Sequence, residues 1–286
     1  MTTDAAGARS TAETPVAAPL RVAVAGASGR MGRMVIEAVV GAPDLSLVGA
    51  LDRADSPAVG EDATAFLGRS SGVTIETAIE PVLEAADVLI DFTQPAGTLA
   101  HVAACRRLGT RQVIGTTGLD EAGRRTIAEA AQDTAIVFAP NMSVGVNVML
   151  RLVELATRAL AADCDIEVIE AHHRMKVDAP SGTAIALAEV IARGLGRSLD
   201  QIGVHARHGH TGAREAGTIG FSVIRGGDIV GDHTVLYAAT GERIEITHRS
   251  SSRATYAQGS IRACRFLRDK RRGLFDMQAV LGLDGS

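Results

Sequence analysis

Two histidines, an arginine, a lysine and a Ser-Gly-Thr turn lie close together in the middle of the 286-residue sequence. The stretch EAHHRMKVDAPSGT covers residues 170–183. In it His172 is adjacent to His173, and Lys176 follows four residues after His172. Imidazole and ammonium groups bind carboxylates and deliver protons. Each of these residues alone is more often structural, but their density indicates a site for a small substrate that bears carboxylates and needs a proton.

The residues that flank this cluster predict how it is positioned. Residues 165–170 alternate like a strand that ends in a loop. Ser181, Gly182 and Thr183 open a predicted helix over residues 184–195. The hydroxyl groups can cap that helix, and the free N–H groups of its first turn form an anion site. The cluster is therefore expected between a strand end and a helix N-terminus.

A glycine-rich turn near the N-terminus is a second candidate site. Gly26, Gly29 and Gly32, within GASGRMG, follow a predicted strand over residues 21–25 and precede a predicted helix over 34–40. Glycine allows a tight turn and a close approach of the backbone to a pyrophosphate at the helix N-terminus. Ser28 takes a position that the usual dinucleotide motif gives to glycine, so the motif has to be judged together with its context.

An acidic residue at the expected spacing strengthens this interpretation. Asp52 follows the second predicted strand, residues 45–51, where a carboxylate binds the ribose hydroxyls of a dinucleotide. Arg53 comes next and can pair with a 2′-phosphate. Segments 115–118 and 139–142 also follow predicted strands, and open parallel sheets bind ligands at such strand ends. The sequence thus predicts a site that takes both NADH and NADPH.

Composition limits the classes of protein that the chain can belong to. Hydrophobic residues make up 46% and aromatic residues 3%, which is typical of α/β layers with an aliphatic core. A net charge of −4 gives no general attraction to nucleic acid or to a membrane surface. Cys105, Cys164 and Cys264 are far apart and predict reduced thiols of a cytoplasmic protein without a structural metal. Residues 1–19 are expected to be a disordered tail rather than a signal peptide.

The order of predicted elements indicates two domains. Strands over 88–92, 112–115 and 135–138 alternate with helices over 96–108 and 121–132, which predicts a Rossmann-type parallel sheet. A long helix over 146–161 then leads into a second α+β domain with a mixed or antiparallel sheet. Its strands are expected over 218–225, 229–238 and 243–248, and Gly226-Gly227-Asp228 predicts a hairpin turn between the first two. A helix over 256–267 could complete either domain.

The chain resembles the 4-hydroxy-tetrahydrodipicolinate reductase family, also called dihydrodipicolinate reductases, of diaminopimelate and lysine biosynthesis. The resemblance covers nearly all of residues 21–283. It is carried by GASGRMG (26–32), DFT (91–93), GTTG (115–118), APNMSVGVN (139–147), EAHHRMKVDAPSGTA (170–184), HTGAREAGTIGF (210–221), RGGDIVGDHTV (225–235) and GERIEITHRSSSR (241–253). The long block from 170 to 184 is the most specific of these.

The resemblance implies a fold, an assembly and a reaction. Residues 20–143 and 254–286 would form the dinucleotide-binding domain, and residues 144–253 a substrate-binding domain that assembles a homotetramer. The implied reaction is reduction of 4-hydroxy-tetrahydrodipicolinate, a cyclic dicarboxylate, to tetrahydrodipicolinate. A hydride comes from NADH or NADPH, and water is lost. We expect no nucleic-acid partner, no membrane association and no metal.

The resemblance also implies roles for individual residues. His172 and Lys176 would be the acid/base pair. The substrate-binding positions would be His173, Ser181, Gly182, Thr183 and Thr117. The cofactor-binding positions would be Gly26, Ala27, Ser28, Gly29, Arg30, Met31, Asp52, Arg53, Gly115, Thr116, Thr117, Ala139, Pro140, Asn141 and Met142.

Other functions are compatible with parts of the pattern. The chain could be a different NAD(P)-dependent reductase of a small dicarboxylate, or a non-catalytic protein that senses dinucleotides. A semialdehyde dehydrogenase would need a nucleophilic cysteine, and the candidate segments contain none. A metal hydrolase is disfavoured because the histidines lack the spacing of metal-binding motifs.

Overall fold

The structure is a computed structural model that describes residues 18–283 and arranges them around two β-sheets. The predicted tail therefore lies, up to residue 17, outside the described residues. The first sheet contains, in chain-order numbering, β1 (Leu20–Ala25), β2 (Leu45–Leu51), β3 (Ile75–Glu76), β4 (Val88–Asp91), β5 (Arg111–Ile114), β6 (Ala135–Phe138) and β12 (Gly273–Phe275). Their spatial order is β12-β6-β5-β4-β1-β2-β3, and every neighbouring pair is parallel.

Helices cover both faces of this sheet. They are α1 (Arg30–Val40), α2 (Ile79–Glu84), α3 (Pro95–Leu108), α4 (Glu121–Ala130), α8 (Ala254–Leu267) and α9 (Met277–Leu281), with a 3₁₀ turn at Ala65–Leu67. The central strands are mostly apolar because both faces are covered, and Val22, Val88 and Ile90 are fully buried. The predicted parallel Rossmann-type sheet is confirmed.

Helix α8 packs on the first sheet, whereas periodicity alone did not predict which domain it would complete. It contacts α1 and the strands β4, β5 and β6. Cys264 and Leu267 of this helix are buried in the same core as Val22 and Val24. The chain therefore returns to the first sheet after residue 253, and β12 then adds a strand at the edge next to β6.

The second sheet is mixed. Its strands are β7 (Asp165–His172), β8 (Gly203–Val204), β9 (Ile219–Arg225), β10 (Gly231–Ala238) and β11 (Arg243–Ser250), in the order β11-β10-β7-β9-β8. Helices α5 (Val144–Leu160) and α6 (Gly182–Gly194) pack on one face, and α7 (Leu199–Ile202) is a short turn of helix. Together with the first sheet, this confirms the predicted fold class.

The predicted hairpin between the segments before and after Gly226-Gly227-Asp228 is wrong. Strand β7 lies between β9 and β10 and pairs with β9 in parallel and with β10 in antiparallel orientation. The glycine turn instead crosses the end of β7, where Gly226 N donates to the His172 carbonyl oxygen at 2.9 Å and Arg174 N donates to the Gly227 carbonyl oxygen at 3.2 Å. Two glycines between strands thus mark a crossover here.

The end of β7 also differs from the prediction. The strand continues to His172 rather than ending at Glu170. Alternate residues of β7 are buried, so the face that holds Ile166 and Val168 under the helices continues into Glu170 and His172. The period of the strand therefore carries two titratable side chains to the covered face, at the carboxyl end of a central strand.

Candidate active site

A cleft of about 710 Å³ lies between the two sheets. The first sheet contributes Thr117 and the segment Ala139, Pro140 and Asn141, which follow the ends of β5 and β6. The second sheet contributes His172, His173, Lys176, Ser181, Gly182 and Thr183. The structure thus brings both catalytic candidates and all five substrate-binding candidates to one cleft.

His172 is held from behind by a buried carboxylate. Its Nδ1 lies 2.6 Å from Glu170 Oε2, and the Glu170 side chain is fully buried. Arg225, at the end of β9, donates to both oxygens of Glu170 at 2.7 and 2.8 Å. Burial by itself would raise the pKa of Glu170, but the hydrogen bonds from Arg225 and His172 outweigh it and lower that pKa below the usual range. Glu170 is therefore an ionised acceptor at neutral pH.

The helix that follows the cluster is capped as expected. Ser181 Oγ accepts from Ala184 N at 3.2 Å, and Gly182 and Thr183 form the first turn of α6. A Cβ at Gly182 would meet no heavy atom within 4 Å, so the backbone there is open to the cleft. Asn141 Nδ2 donates to Thr183 Oγ1 at 3.3 Å, which joins the loop after β6 to the helix of the other sheet. The first-turn N–H groups are available to an anion.

Behind this helix start lies a buried histidine that the sequence analysis did not single out. His233 Nε2 is 3.0 Å from Ser181 Oγ, and the rings of His233 and His172 meet edge to face with centroids 5.1 Å apart. Burial, and secondarily the neighbouring His172, lowers the pKa of His233 to about 4. His233 is therefore neutral at pH 7 and serves as a packing and hydrogen-bonding partner of the site.

The glycine-rich turn adopts the tight geometry that a dinucleotide requires. A Cβ at Gly32 would lie 2.0 Å from the Gly26 carbonyl oxygen, so only glycine allows α1 to start this close to the turn. Ser28 N donates to Asp52 Oδ2 at 2.8 Å. Partial burial opposes ionisation of Asp52, but hydrogen bonds from Ser28 and Arg53 lower the pKa of Asp52. The carboxylate is thus fixed beside the turn.

Arg53 occupies the rim of this site. Its Nε lies 2.9 Å from Asp55 Oδ1, and both side chains are about three-quarters exposed, at 74% and 73%. A second cavity of about 590 Å³ adjoins the turn and is lined by Gly26, Ser28, Gly29, Asp52 and Arg53, together with Phe92, Thr93 and His101. The cradle at Gly26, the fixed carboxylate and the adjoining cavity fit an adenosine and pyrophosphate.

Six of the predicted cofactor-binding residues line neither of the two cavities. Ala27, Thr116 and Met142 are buried, and Arg30 and Met31 lie in the first turn of α1. Gly115 lies over the Phe92 ring, which a Cβ there would approach to 2.1 Å. Thr116 accepts from Thr98 Oγ1 at 2.7 Å. These residues shape the turn and the loops after β5 and β6, and none of them lines either cavity.

The structure adds residues that the sequence analysis did not name as site residues. Arg253 lines the cleft and has Nη2 3.4 Å from His173 Nε2, so a further cation faces the cleft. Phe92, Thr93 and His101 line the second cavity, beside the glycine-rich turn. The DFT motif at 91–93 could have signalled the first two, because it follows a strand of the parallel sheet. Arg253 closes the GERIEITHRSSSR motif at 241–253, but nothing in the sequence places it beside His173.

Two features are absent from the described part of the chain, a membrane-spanning helix and a cluster of metal-binding side chains. Among residues 18–283, no helix is long and apolar enough to cross a membrane. Within the same residues, no group of three or more histidine, cysteine, aspartate or glutamate side chains is arranged to hold a metal ion.

Comparison with known proteins identifies one family along almost the whole chain. The family profile described as "Dihydrodipicolinate reductase, N-terminus" matches residues 20–142, and the one described as "Dihydrodipicolinate reductase, C-terminus" matches residues 145–281. Over 264 residues, 92% of this chain, the sequence is 60% identical to the 4-hydroxy-tetrahydrodipicolinate reductase of Cupriavidus metallidurans, which is covered in full (100%). The corresponding enzyme of Cupriavidus necator is 62% identical over the same shares of 92% and 100%.

Solved structures agree with the fold. A dihydrodipicolinate reductase from Paenisporosarcina sp. TG-14, described as dipicolinate bound, superposes with a TM-score of 0.73 at 25% identity, covering 90% of this chain and 97% of that one. GenD2 from gentamicin A biosynthesis, solved in complex with NAD, gives a TM-score of 0.56 at 15% identity, over 98% of this chain and 91% of its own. At that identity GenD2 shows the fold alone.

Proposed function

The chain belongs to the dihydrodipicolinate reductase family, and we propose that its cleft reduces 4-hydroxy-tetrahydrodipicolinate to tetrahydrodipicolinate with NADH or NADPH. The observation that carries this proposal is the convergence of His172, Lys176 and the start of α6 opposite the strand ends of the first sheet. Proton donors, an anion site and the loops of a dinucleotide fold then face the same space.

The substrate side of the cleft is built for carboxylates. The first-turn N–H groups of Gly182 and Thr183 can hold one carboxylate, and His173 supplies charge beside them. Ser181 and Thr117 complete the set of donors. Dipicolinate, the aromatic dicarboxylate of the same ring size, is bound by the solved relative, which supports a dicarboxylate in this position.

The chemistry needs an acid next to the ring. NADH or NADPH supplies the hydride when bound, and negative charge then builds on the nitrogen-conjugated system of the substrate. Water leaves the 4-hydroxy compound before the hydride arrives, which creates this conjugated system, and a proton from His172 or Lys176 then neutralises the charge and gives the product. Both side chains line the cleft, and either can be the donor.

Binding of the cofactor is assigned to the glycine turn and its surroundings. Asp52 can accept from the ribose hydroxyls, and Arg53 can pair with a 2′-phosphate. The segments at 115–117 and 139–142 contact the rest of the cofactor, between the glycine turn and the cleft. The second cavity beside the turn supports this assignment.

We further propose the division and assembly that the sequence predicted. Residues 20–143 and 254–286 are the dinucleotide-binding domain, and residues 144–253 are the substrate-binding and oligomerisation domain of a homotetramer. The return of α8 and β12 to the first sheet supports the first part of this division. The proposed place of action is the cytoplasm, without nucleic-acid or membrane partners.

The test is oxidation of NADPH and of NADH, followed by absorbance, after addition of freshly generated 4-hydroxy-tetrahydrodipicolinate to the purified protein. The expected result is turnover with both cofactors, lost in the double variant His172→Ala/Lys176→Ala. Absence of oxidation by the folded wild-type protein would overturn the proposed function.

A further inference from the structure

We infer that Glu170 is a positioning residue for catalysis, which orients His172 for proton transfer and is itself fixed by Arg225. The inference rests on the proposed function, since it assigns His172 the role of proton donor. Glu170 has no contact with the cleft and is fully buried beneath His172. Its effect on the reaction therefore has to pass through His172.

The hydrogen bonds of Glu170 use both of its oxygens. Oε2 accepts from His172 Nδ1 at 2.6 Å and from Arg225 Nη1 at 2.7 Å. Oε1 accepts from Arg225 Nη2 at 2.8 Å and from Ser181 N at 3.0 Å. A bidentate arginine fixes the plane of a carboxylate, so Glu170 cannot rotate away from the imidazole.

This arrangement determines which nitrogen of His172 exchanges its proton. An ionised carboxylate only accepts hydrogen bonds, so Nδ1 must carry a proton. Nε2 is then the nitrogen that gains and loses a proton during turnover. Gly231, on the neighbouring strand β10, leaves Nε2 uncovered, because a Cβ at that position would come within 3.1 Å of it.

The negative charge of Glu170 has a second consequence. It holds the imidazole of His172 in one orientation toward the cleft, as an orienting carboxylate does in other histidine-dependent enzymes. Arg225 prevents Glu170 from taking the proton itself, because its guanidinium compensates the buried carboxylate. Ser181 links the same carboxylate to the start of α6. The proton donor and the proposed anion site are thus aligned by one buried group.

A matched control lies on the same strand. Glu167 is also in β7 and is also paired with arginines, Arg207 and Arg214. It projects from the opposite face of the strand, away from the cleft. Glu167→Gln therefore makes the same chemical change, beside the same kind of partner, without touching His172.

The experiment measures steady-state kinetics of Glu170→Gln, Glu167→Gln and Glu170→Asp in the full-length enzyme. We expect Glu170→Gln to lower kcat by roughly 10²–10⁴-fold, the range that a positioned proton donor contributes, with little change in KM for NADPH. Glu170→Asp keeps the charge and should recover part of the lost kcat. Glu167→Gln should keep kcat near the wild-type value.

A double-mutant cycle separates this role from a purely structural one. In a His172→Ala background, Glu170→Gln should lower kcat by less than about threefold, because residues that act as a unit are not additive. If the two losses multiply instead, Glu170 does not act through His172 and the inference is wrong. Wild-type kcat in Glu170→Gln would also overturn it.

A wild-type control and a substitute variant separate failure of the proposed function from failure of the inference about Glu170. If the wild-type protein does not turn over the substrate, the proposed function fails before Glu170 is tested. If Glu170→Gln does not fold, Arg225→Lys takes its place, since it keeps the positive charge but loses the bidentate contact. It should lower kcat in the wild-type background and not in His172→Ala, and equal losses in both backgrounds would contradict the inference.

Discussion

Asp178 holds the ammonium group of Lys176 with both carboxylate oxygens, at 2.8 and 2.9 Å from Nζ. Only 20% of the Lys176 side chain is exposed, against 56% of the Asp178 side chain. The hydrogen bond from Lys176 lowers the pKa of Asp178 below its usual range. The pair therefore keeps a fixed cation beside the cleft that also contains His172.

The proposed roles of His172 and Lys176 as proton donors can be tested one at a time. His172→Ala and Lys176→Ala should each lower kcat by roughly 10²–10⁴-fold, as expected when a positioned acid is removed. The Kd for NADPH, followed by nicotinamide fluorescence, should hardly change because the glycine turn lies on the other sheet. Arg174→Ala is the matched control, since Arg174 is basic, exposed and outside the cleft lining. Near-normal kcat in both alanine variants would refute the acid roles.

A rigid dicarboxylate should compete for the substrate pocket. Pyridine-2,6-dicarboxylate is expected to inhibit competitively against the substrate, because the start of α6 and His173 can hold its carboxylates. Pyridine-2-carboxylate is the control and should bind more weakly, since it lacks one of the two anions. Thr183→Val should weaken inhibition by removing the hydroxyl that meets Asn141. Noncompetitive kinetics, or no inhibition at millimolar concentration, would count against the assigned pocket.

Choice of cofactor should depend on Arg53. Asp52 favours NADH and repels a 2′-phosphate, whereas a charge-assisted hydrogen bond from Arg53 contributes about 1.5–3 kcal/mol in favour of NADPH. The KM values for the two cofactors should thus lie within about a hundredfold, since each 1.4 kcal/mol is a factor of ten. Arg53→Ala should raise KM for NADPH by at least about tenfold and leave KM for NADH nearly unchanged.

The ion pair between Arg53 and Asp55 provides a variant of opposite sign. Asp55→Asn removes a carboxylate 2.9 Å from the guanidinium, which should free Arg53 and lower KM for NADPH modestly. Equal effects of Arg53→Ala on both cofactors, or none on either, would show that Arg53 does not contact the 2′-phosphate.

The buried His233 should make the folded state sensitive to acid. Burial lowers its pKa from 6.5 to about 4. Between these values the unfolded chain binds a proton that the folded protein does not bind. The free energy of unfolding should therefore fall as pH drops from about 6.5 to 4, by roughly 1.4 kcal/mol per pH unit, and this part of the loss ends below the folded pKa.

Urea unfolding at pH 7 and pH 5 measures this contribution. His233→Gln should lose about 2 kcal/mol less than the wild type between the two pH values, because glutamine does not titrate. His208→Gln, at an exposed position, is the control and should follow the wild type. An identical loss in His233→Gln and wild type would mean that His233 is protonated equally in the folded and unfolded states.

Local sequence patterns were sufficient to predict most of the strands and helices. The strand over 45–51 and the fully buried strands of the first sheet were predictable, because apolar runs between turns recur at the spacing of βαβ units. The position of β7 between β9 and β10 was not, because strand pairing depends on contacts far apart in sequence. The glycine turn at 226–228 has the local signal of a hairpin and no signal of the strand that it crosses.

The same limit explains what was missed in the site. His172, Lys176 and the turn at 181–183 are neighbours in sequence, so their density alone marks them. Glu170 stands in the same block, but its role depends on Arg225, which reaches it because β7 and β9 pair in parallel with His172 opposite Arg225. His233 likewise lies opposite Glu170, and so beside His172 and Ser181, only through the antiparallel pairing of β7 with β10.

The path of the chain determines which of the two sheets can be completed first while the protein is being synthesised. All five strands of the second sheet lie between residues 165 and 250, so that sheet is complete before the ribosome has added α8 and β12. The first sheet begins at Leu20 but lacks the helix that buries Cys264 and Leu267 in its core, and its last edge strand, until residues 254–275 emerge. Domains usually fold from the N-terminus as they are made. In this chain the first sheet must wait for residues 254–275, and the second sheet, which holds His172, can form first.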